Sequence, residues 1–120
     1  MRKDMTAEEY LQQILSDGMR DDCPVGRTLE LLSGKWRTRI IFELCKKPSW
    51  RFCELKKAVP RITNTMLTTV LRDLERLGIV GREQFNEIPP HVEYALTEKG
   101  RALLPVFFEL AKWGDAYLAE

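Results

Sequence analysis

The sequence has few of the residues that metal and redox chemistry require. It contains three cysteines, Cys23, Cys45 and Cys53, and a single histidine, His91. A structural zinc site needs its ligands in closely spaced pairs, whereas these cysteines lie far apart and form no C-x-x-C motif. An odd number of cysteines also argues against a disulfide framework. We therefore expect no metal and no cofactor.

Long apolar runs and catalytic motifs are also missing. No hydrophobic stretch approaches the length of a membrane span, and acidic residues interrupt the N-terminal segment where a signal peptide needs its apolar core. We therefore expect a cytosolic protein that does not enter the membrane. A single histidine, no glycine-rich phosphate loop and no nucleophile–base pair make an enzyme the least favoured class.

Charge is present, and it is unevenly distributed. The net charge is only +1, but residues 35–82 contain twelve basic and four acidic residues, a balance of +8. The flanking segments are acidic, with −3 for residues 1–34 and −4 for residues 83–120. A basic middle between acidic ends predicts a surface that binds a polyanion. The alternative is a solvated charge pattern without a ligand.

Hydrophobic periodicity and capping residues predict a mainly helical domain with one small β-hairpin. Apolar and polar residues alternate with period two in two segments, and this predicts the two strands of the hairpin. Thr97 begins a last helix, which Pro105 should bend or restart. The predicted helices are 6–18, 24–32, 35–45, 51–58, 63–77 and 97–118, and the predicted strands are 79–85 and 91–96. A hairpin directly after a helix-turn-helix is the layout of a winged helix-turn-helix.

The helix over 63–77 has two contrasting faces. Its apolar residues, Leu67, Val70, Leu71, Leu74 and Leu77, recur three and four positions apart. The opposite face carries the candidates for reading DNA bases, Asn64, Thr65, Thr68, Thr69 and Arg72. Asparagine can pair with adenine, and threonine methyl groups can contact thymine methyl groups. A plain solvent face is the alternative, but repeated threonines lower helix propensity and are a poor choice for one.

Basic side chains around this helix are the candidates for binding DNA phosphates. They are Lys35, Arg37, Arg51, Lys56, Lys57, Arg61 and Arg82, together with His91 in the wing. Phosphate contacts supply most of the affinity of such proteins for duplex DNA. For each lysine, plain solvation is the alternative.

The last helix has more apolar surface than one face of a small domain can bury. We expect part of it to pair with the first helix of a second copy, through Tyr10, Leu11, Ile14, Phe107, Leu110, Trp113 and Tyr117. A larger core within one chain is the alternative. In a two-fold homodimer the recognition helices would lie about 34 Å apart, so the operator should be a pseudo-palindrome.

Five segments together resemble the HxlR family of bacterial winged-helix regulators, which are related to the MarR type. They are CPVGRTLELLSGKW (23–36), RFCELKKAV (51–59), ITNTMLTTVLRDLERLGIVGR (62–82), PPHVEYALTEKGRALLPVF (89–107) and KWG (112–114). The resemblance implies a homodimeric repressor or activator with dimer contacts through the first and last helices. The chain departs from the family at His91, where a basic residue is frequent, at Gly81, where a larger residue is common, and at Arg61, where a small residue or glycine is frequent.

Cys23 is the candidate site for sensing an effector. Pro24 predicts a helix that begins directly after this cysteine, and a helix N-terminus lowers the pKa of a thiol. In several members of the family that the chain resembles, the cysteine at this place senses electrophiles or oxidants. Asp21 and Asp22 oppose thiolate formation, and a small buried residue near the dimer seam is the alternative.

These observations predict one winged helix-turn-helix domain over residues 1–120. Its helix-turn-helix spans about 51–77, its wing about 79–96, and its dimerisation helices about 7–17 and 98–118. We expect a sequence-specific regulator of transcription that binds double-stranded DNA as a homodimer, acts as a repressor and responds to an electrophile or oxidant through Cys23. The alternative is a winged-helix module that binds protein without specific DNA binding.

Overall fold

The computed structural model describes residues 4–17 and 24–118, and the chain divides into two compact units, 1–33 and 34–120. The first unit contains α1 (Ala7–Asp17) and α2 (Pro24–Leu31). Thr6 caps α1, because its Oγ1 accepts a hydrogen bond from the backbone N–H of Glu9 at 3.1 Å. In the part of the chain described, no helix is both long and apolar enough to cross a bilayer.

The second unit is a winged helix-turn-helix, as the sequence predicts. Each predicted element is present, and most boundaries agree within two residues. The elements are α3 (Arg37–Leu44), β1 (Trp50–Arg51), α4 (Phe52–Ala58), α5 (Asn64–Arg76), β2 (Val80–Phe85), β3 (His91–Leu96), α6 (Glu98–Arg101) and α7 (Leu104–Tyr117).

The sheet has three antiparallel strands in the order β1-β3-β2, one more strand than the predicted hairpin. The hairpin itself pairs β2 with β3, from Val80 opposite Leu96 to Phe85 opposite His91. The additional strand β1 pairs Trp50 with Tyr94. A two-residue strand has no detectable periodicity, so only its long-range pairing with β3 identifies it. This pairing attaches the wing to the start of α4.

Pro105 restarts the last helix, one of the two outcomes expected for it. Helix α6 ends at Arg101, and α7 begins at Leu104 with the proline in its first turn. Proline is tolerated there because the first N–H groups of a helix have no partner within the helix. The predicted dimerisation helix over 98–118 is therefore two helices.

The core lies where α3, α4 and α5 meet the sheet. Apolar side chains at helical spacing fill it, and burying each one stabilises the fold by about 1.5–3 kcal/mol. The fully buried residues include Ile40, Ile41, Leu44, Leu55, Val59, Ile62, Leu67, Leu71, Leu74, Ile79 and Val80. Trp36 directly precedes α3 and is half-buried. Because these contacts hold the inner face of α5, its outer face is available for a ligand.

Candidate nucleic-acid interface

Local signals define both ends of α5. At the N-terminus, Oγ1 of Thr63 accepts a hydrogen bond from the backbone N–H of Met66 at 3.0 Å, which makes Thr63 the N-cap. At the C-terminus, Gly78 has φ +77°, the left-handed conformation that ends many helices. The buried residues are Leu67, Val70, Leu71 and Leu74. The cap and the buried face together determine which side chains α5 presents outward.

The outer face of α5 carries the side chains predicted to read bases. Asn64, Thr65, Thr69 and Arg72 are exposed, and Thr68 is half-buried. The hydroxyl of Thr69 donates a hydrogen bond to the carbonyl oxygen of Thr65 at 2.9 Å. Its donor is therefore used within the helix, which leaves the methyl group and an acceptor lone pair for an outside partner. Asn64 and Thr65, in the first turn, have the most freedom to hydrogen-bond a base.

The turn between α4 and α5 holds a residue in an unfavourable backbone conformation. Arg61 has φ +73°, a region that disfavours residues with a Cβ and suits glycine. The neighbouring Ile62 is buried in the core, and Arg61 itself is exposed. The tertiary contacts therefore hold the turn, and the arginine is presented to solvent just before α5.

Some basic side chains of residues 35–82 form ion pairs within the protein and are therefore less available to a ligand. Nη2 of Arg37 lies 3.6 Å from Oδ2 of Asp73, and Nη2 of Arg76 lies 3.1 Å from Oδ1 of the same carboxylate. Lys47 pairs with Glu54 at 3.0 Å. Arg37, which was predicted to bind phosphate, is thus engaged within the protein.

Other basic side chains have no such partner. The basic side chains without an ion pair to any carboxylate of residues 4–17 and 24–118 are Lys35, Arg39, Arg51, Lys56, Lys57, Arg61, Arg72 and Arg82. All of these except the half-buried Lys56 are exposed. Arg39 was missed by sequence reasoning, although it lies within the basic middle segment. The unpaired charge surrounds the turn, the outer face of α5 and the base of the wing.

Glu54 organises the start of α4. Its Oε1 accepts a hydrogen bond from the backbone N–H of Arg51 at 2.7 Å, and its Oε2 accepts one from Lys47 at 3.0 Å. The backbone hydrogen bond from Arg51, followed by that from Lys47, lowers the pKa of this carboxyl. Glu54 therefore stays ionised and holds Lys47, while the Arg51 side chain remains exposed at the helix start.

His91 is placed differently from the expectation that it binds phosphate. Its ring is stacked on Phe85 with centroids 4.7 Å apart, and its side chain is only 14% exposed. Nε2 donates a hydrogen bond to Glu93 at 2.9 Å, and Nδ1 lies 3.9 Å from a carboxylate oxygen of Glu87. The hydrogen bond from His91, followed by one from Ser49, lowers the pKa of Glu93. Both ring nitrogens face carboxylates, so the structure does not present His91 to a phosphate.

The helices predicted to form a dimer expose large apolar side chains. On α7, Leu110, Trp113 and Tyr117 are 51%, 58% and 73% exposed. On α1, Leu11 and Ile14 are exposed, whereas Tyr10 is half-buried. Phe107 is the exception, because it is buried and packs against Phe42 with ring centroids 6.2 Å apart. It belongs to the core of its unit and not to the free face of α7.

Of the three cysteines, Cys45 and Cys53 lie within the described residues. Cys23, the predicted sensor, lies outside them. Cys45 is half-buried, and burial raises the pKa of its thiol, while Cys53 is exposed. The residues for which the structure gives a position contain no cluster of three or more metal-binding side chains.

Comparison with known proteins agrees with this architecture. The model of the HxlR-like helix-turn-helix family matches residues 31–120. YdeP of Bacillus subtilis, a helix-turn-helix-type transcriptional regulator, is 44% identical over 97 residues, which cover 81% of this chain and 75% of that protein.

Solved structures give the same result. The reduced form of the transcriptional regulator YodB from B. subtilis superimposes with a TM-score of 0.74 at 38% identity, covering 79% of this chain and 93% of YodB. The oxidised form of the redox regulator HypR gives a TM-score of 0.69 at 42% identity and covers 78% and 96% of the two chains. With an exposed polar recognition helix, a basic surround and an attached wing, the chain belongs to the HxlR-like helix-turn-helix family of DNA-binding transcriptional regulators.

Proposed function

We propose that this protein is a sequence-specific regulator that binds a pseudo-palindromic operator as a homodimer and represses transcription. The observation that carries the proposal is the outer face of α5. Asn64, Thr65 and Thr69 are exposed there in the first turns, while the opposite face is locked in the core. An α-helix with short polar side chains at its N-terminal end fits the major groove and reads base edges there.

Phosphate binding is assigned to the unpaired cations around α5. We include Lys35, Arg51, Lys57, Arg61 and Arg82, and leave out Arg37 and His91 because carboxylates engage both. If each subunit uses four of these side chains, the dimer neutralises about eight phosphates. The logarithm of the binding constant should then fall with the logarithm of salt concentration with a slope of about −7.

The test is a gel shift with the DNA upstream of the protein's own gene at two salt concentrations. We expect a specific complex that weakens steeply as salt increases. The variant Asn64→Ala should lose discrimination between operator and unrelated DNA by about 1–3 kcal/mol. The matched control Glu75→Ala, at an exposed position near the far end of the same helix, should keep it. Absence of a complex at low salt would instead support a winged-helix module that binds protein.

The exposed apolar face of α7 supports the homodimer. The rings of Trp113 and Tyr117 contact each other in a tilted arrangement with centroids 5.5 Å apart, and both side chains are mostly exposed, as is Leu110. Large apolar side chains clustered on one exposed face of a helix often mark a protein–protein interface. Leu110→Glu should therefore convert the dimer to a monomer in analytical ultracentrifugation, whereas Glu109→Lys, a charge change in the same turn, should leave it a dimer. An unchanged Leu110→Glu dimer would refute this interface.

We infer repression because a dimer bound across a promoter would exclude polymerase from it. Two recognition helices about 34 Å apart engage consecutive major grooves on one side of the duplex, so an operator that overlaps a promoter is blocked to polymerase. Deleting the gene should increase expression from a reporter that carries the operator. A decrease in expression would show that the protein activates transcription.

We further propose that Cys23 makes operator binding sensitive to electrophiles or oxidants. The support is the sequence, in which Cys23 directly precedes Pro24, the first residue of α2, and the similarity to HypR, which is described as a redox regulator. Diamide or quinone treatment should release the wild-type protein from its operator and leave Cys23→Ser bound. A Cys23→Ser variant that is released equally well would exclude this cysteine as the sensor.

A further inference from the structure

A basic cavity lies beside the turn of the helix-turn-helix. It has a volume of about 320 Å³, and its lining comes from two places, the approach to α3 and the turn before α5. The lining residues are Lys35, Trp36, Arg39, Pro60 and Arg61. Three cations and two apolar rings thus share one small concave surface.

The charges of this cavity are not neutralised by the protein. Neither Lys35, Arg39 nor Arg61 has a carboxylate partner anywhere in the described ranges, whereas the adjacent Arg37 is paired with Asp73 at 3.6 Å. Arg37 and Arg39 both lie on α3, but only the charge of Arg37 is neutralised within the protein. Three like charges around one cavity repel one another, and an anion bound among them would relieve that repulsion.

The aromatic wall keeps one of these charges in place. Nζ of Lys35 lies 4.8 Å from the centroid of the Trp36 ring, a cation–π distance. Trp36 is half-buried, so its position is determined by packing. A fixed indole restricts where the ammonium group can lie, and this lowers the entropy lost when an anion binds.

The third cation, Arg61, has an unfavourable backbone conformation. Arg61 has φ +73°, where glycine would fit without strain. Strained positions persist where the surrounding structure holds them, and they concentrate at binding sites. Here the strained residue supplies the cation that closes the cavity on the side of α5.

We propose that this cavity binds one phosphate group, and that the phosphate is part of the operator backbone bordering the groove that α5 enters. The proposal rests on the proposed function and adds Arg39 and Trp36 to the interface. The position of the cavity indicates that the phosphate belongs to DNA, because Arg61 is three residues before Asn64, the first residue of α5. A phosphodiester beside the base-reading turn would fix the register of that helix on the duplex.

The test is a double-mutant cycle between Arg39→Gln and operators in which single phosphates are replaced by uncharged methylphosphonates. For the wild-type protein, replacing one particular phosphate in each half-site should weaken binding by about tenfold, as expected for a lost charged hydrogen bond. Arg39→Gln should bind the unmodified operator about tenfold more weakly and lose less than the wild-type protein does at that phosphate, because only Lys35 and Arg61 still contact it. Its salt slope should be less steep by about 0.9 for each subunit.

The matched control is Lys46→Gln, which removes one positive charge from a lysine already paired with Glu43 at 3.0 Å. It should show independent, additive effects at every phosphate. If Arg39→Gln is equally additive everywhere while the wild-type protein binds its operator, the cavity proposal is overturned and the proposed function stands. If the wild-type protein binds no duplex, the proposed function itself has failed.

A second measurement distinguishes free phosphate from DNA. Tryptophan fluorescence of the wild-type protein and of Trp36→Phe is compared while inorganic phosphate replaces chloride at constant ionic strength. We expect no Trp36-dependent change at millimolar phosphate. A saturable change that also requires Arg39 would assign the cavity to a small phosphorylated ligand and overturn the DNA assignment.

Discussion

Replacing Arg61 with glycine should separate backbone strain from phosphate binding. The left-handed conformation at φ +73° costs a residue with a Cβ about 1–2 kcal/mol. Glycine removes that strain but loses more backbone entropy on folding, about 0.5–1 kcal/mol. Arg61→Gly should therefore increase the free energy of unfolding by roughly 0.5–1 kcal/mol, or a few degrees in Tm for a chain of this size.

The same substitution should weaken DNA binding. Each subunit loses one phosphate-binding charge, so the dimer loses two, and the salt slope should become less steep by about 1.8. The weakening should be similar on operator and unrelated DNA, because a phosphate contact carries no direct sequence information. A more stable protein with poorer binding is the expected outcome.

Urea denaturation followed by circular dichroism measures the stability change, and fluorescence anisotropy of a labelled operator across a salt series measures the slope. Arg61→Lys is the control, because it keeps both the charge and the left-handed Cβ, and should match the wild-type protein in both assays. If Arg61→Gly were destabilised by more than about 1 kcal/mol, the strain argument would be wrong. An unchanged salt slope would show that Arg61 does not contact phosphate.

Three further predictions concern the scaffold behind the interface. Leu74→Ala removes a fully buried side chain of α5 and should lower the free energy of unfolding by about 2–5 kcal/mol in urea denaturation; a loss below about 1 kcal/mol would contradict the assigned core. Gly100→Ala places a Cβ against the carbonyl oxygen of Ile79, so the connection between α6 and the wing must shift, and Tm should fall; an unchanged Tm would show that this contact relaxes freely. The pKa of Glu93 is lowered mainly by its hydrogen bond with His91. The ionised Glu93 carboxylate therefore stabilises the fold fully above the ordinary pKa near 4.5. This stabilisation is lost as the pH falls through the lower pKa of the folded protein. Glu93→Gln should therefore flatten the acid side of the stability–pH curve, and an unaltered curve would exclude Glu93 as a source of that dependence.

Much of α5 could be predicted from local signals. Its apolar spacing, the N-cap at Thr63 and the glycine at Gly78 each act within one or two turns, and the observed Asn64–Arg76 lies inside the predicted range. The hairpin strands were also predictable, because alternation along each strand reflects its own two faces. Winged helix-turn-helix architecture followed from the order of these elements.

Features that depend on distant residues were not predictable. Strand β1 exists because Trp50 pairs with Tyr94, and nothing in a two-residue segment indicates that pairing. His91 was assigned to phosphate from its position in the wing, but Glu87 and Glu93 engage its ring. Phe107 was placed in the dimer seam because it lies on the apolar row of the last helix, yet it packs on Phe42. Trp50 and Phe107 contact partners far along the chain, whereas the carboxylates near His91 are close in sequence and only the folded wing brings them to its two ring nitrogens.

By itself, the sequence determined the type of each major element, the basic middle segment and the polar outer face of the recognition helix, because spacing, capping and charge are properties of neighbouring residues. Only the tertiary structure decided which cations remain available to a phosphate. Arg37 and Arg39 are two residues apart and equally basic, but Asp73 on α5 neutralises the first, while the second lines a cavity with Arg61. Charge pairing depends on distances of a few ångströms between separate helices, and those distances exist only once the core has brought α3 and α5 together.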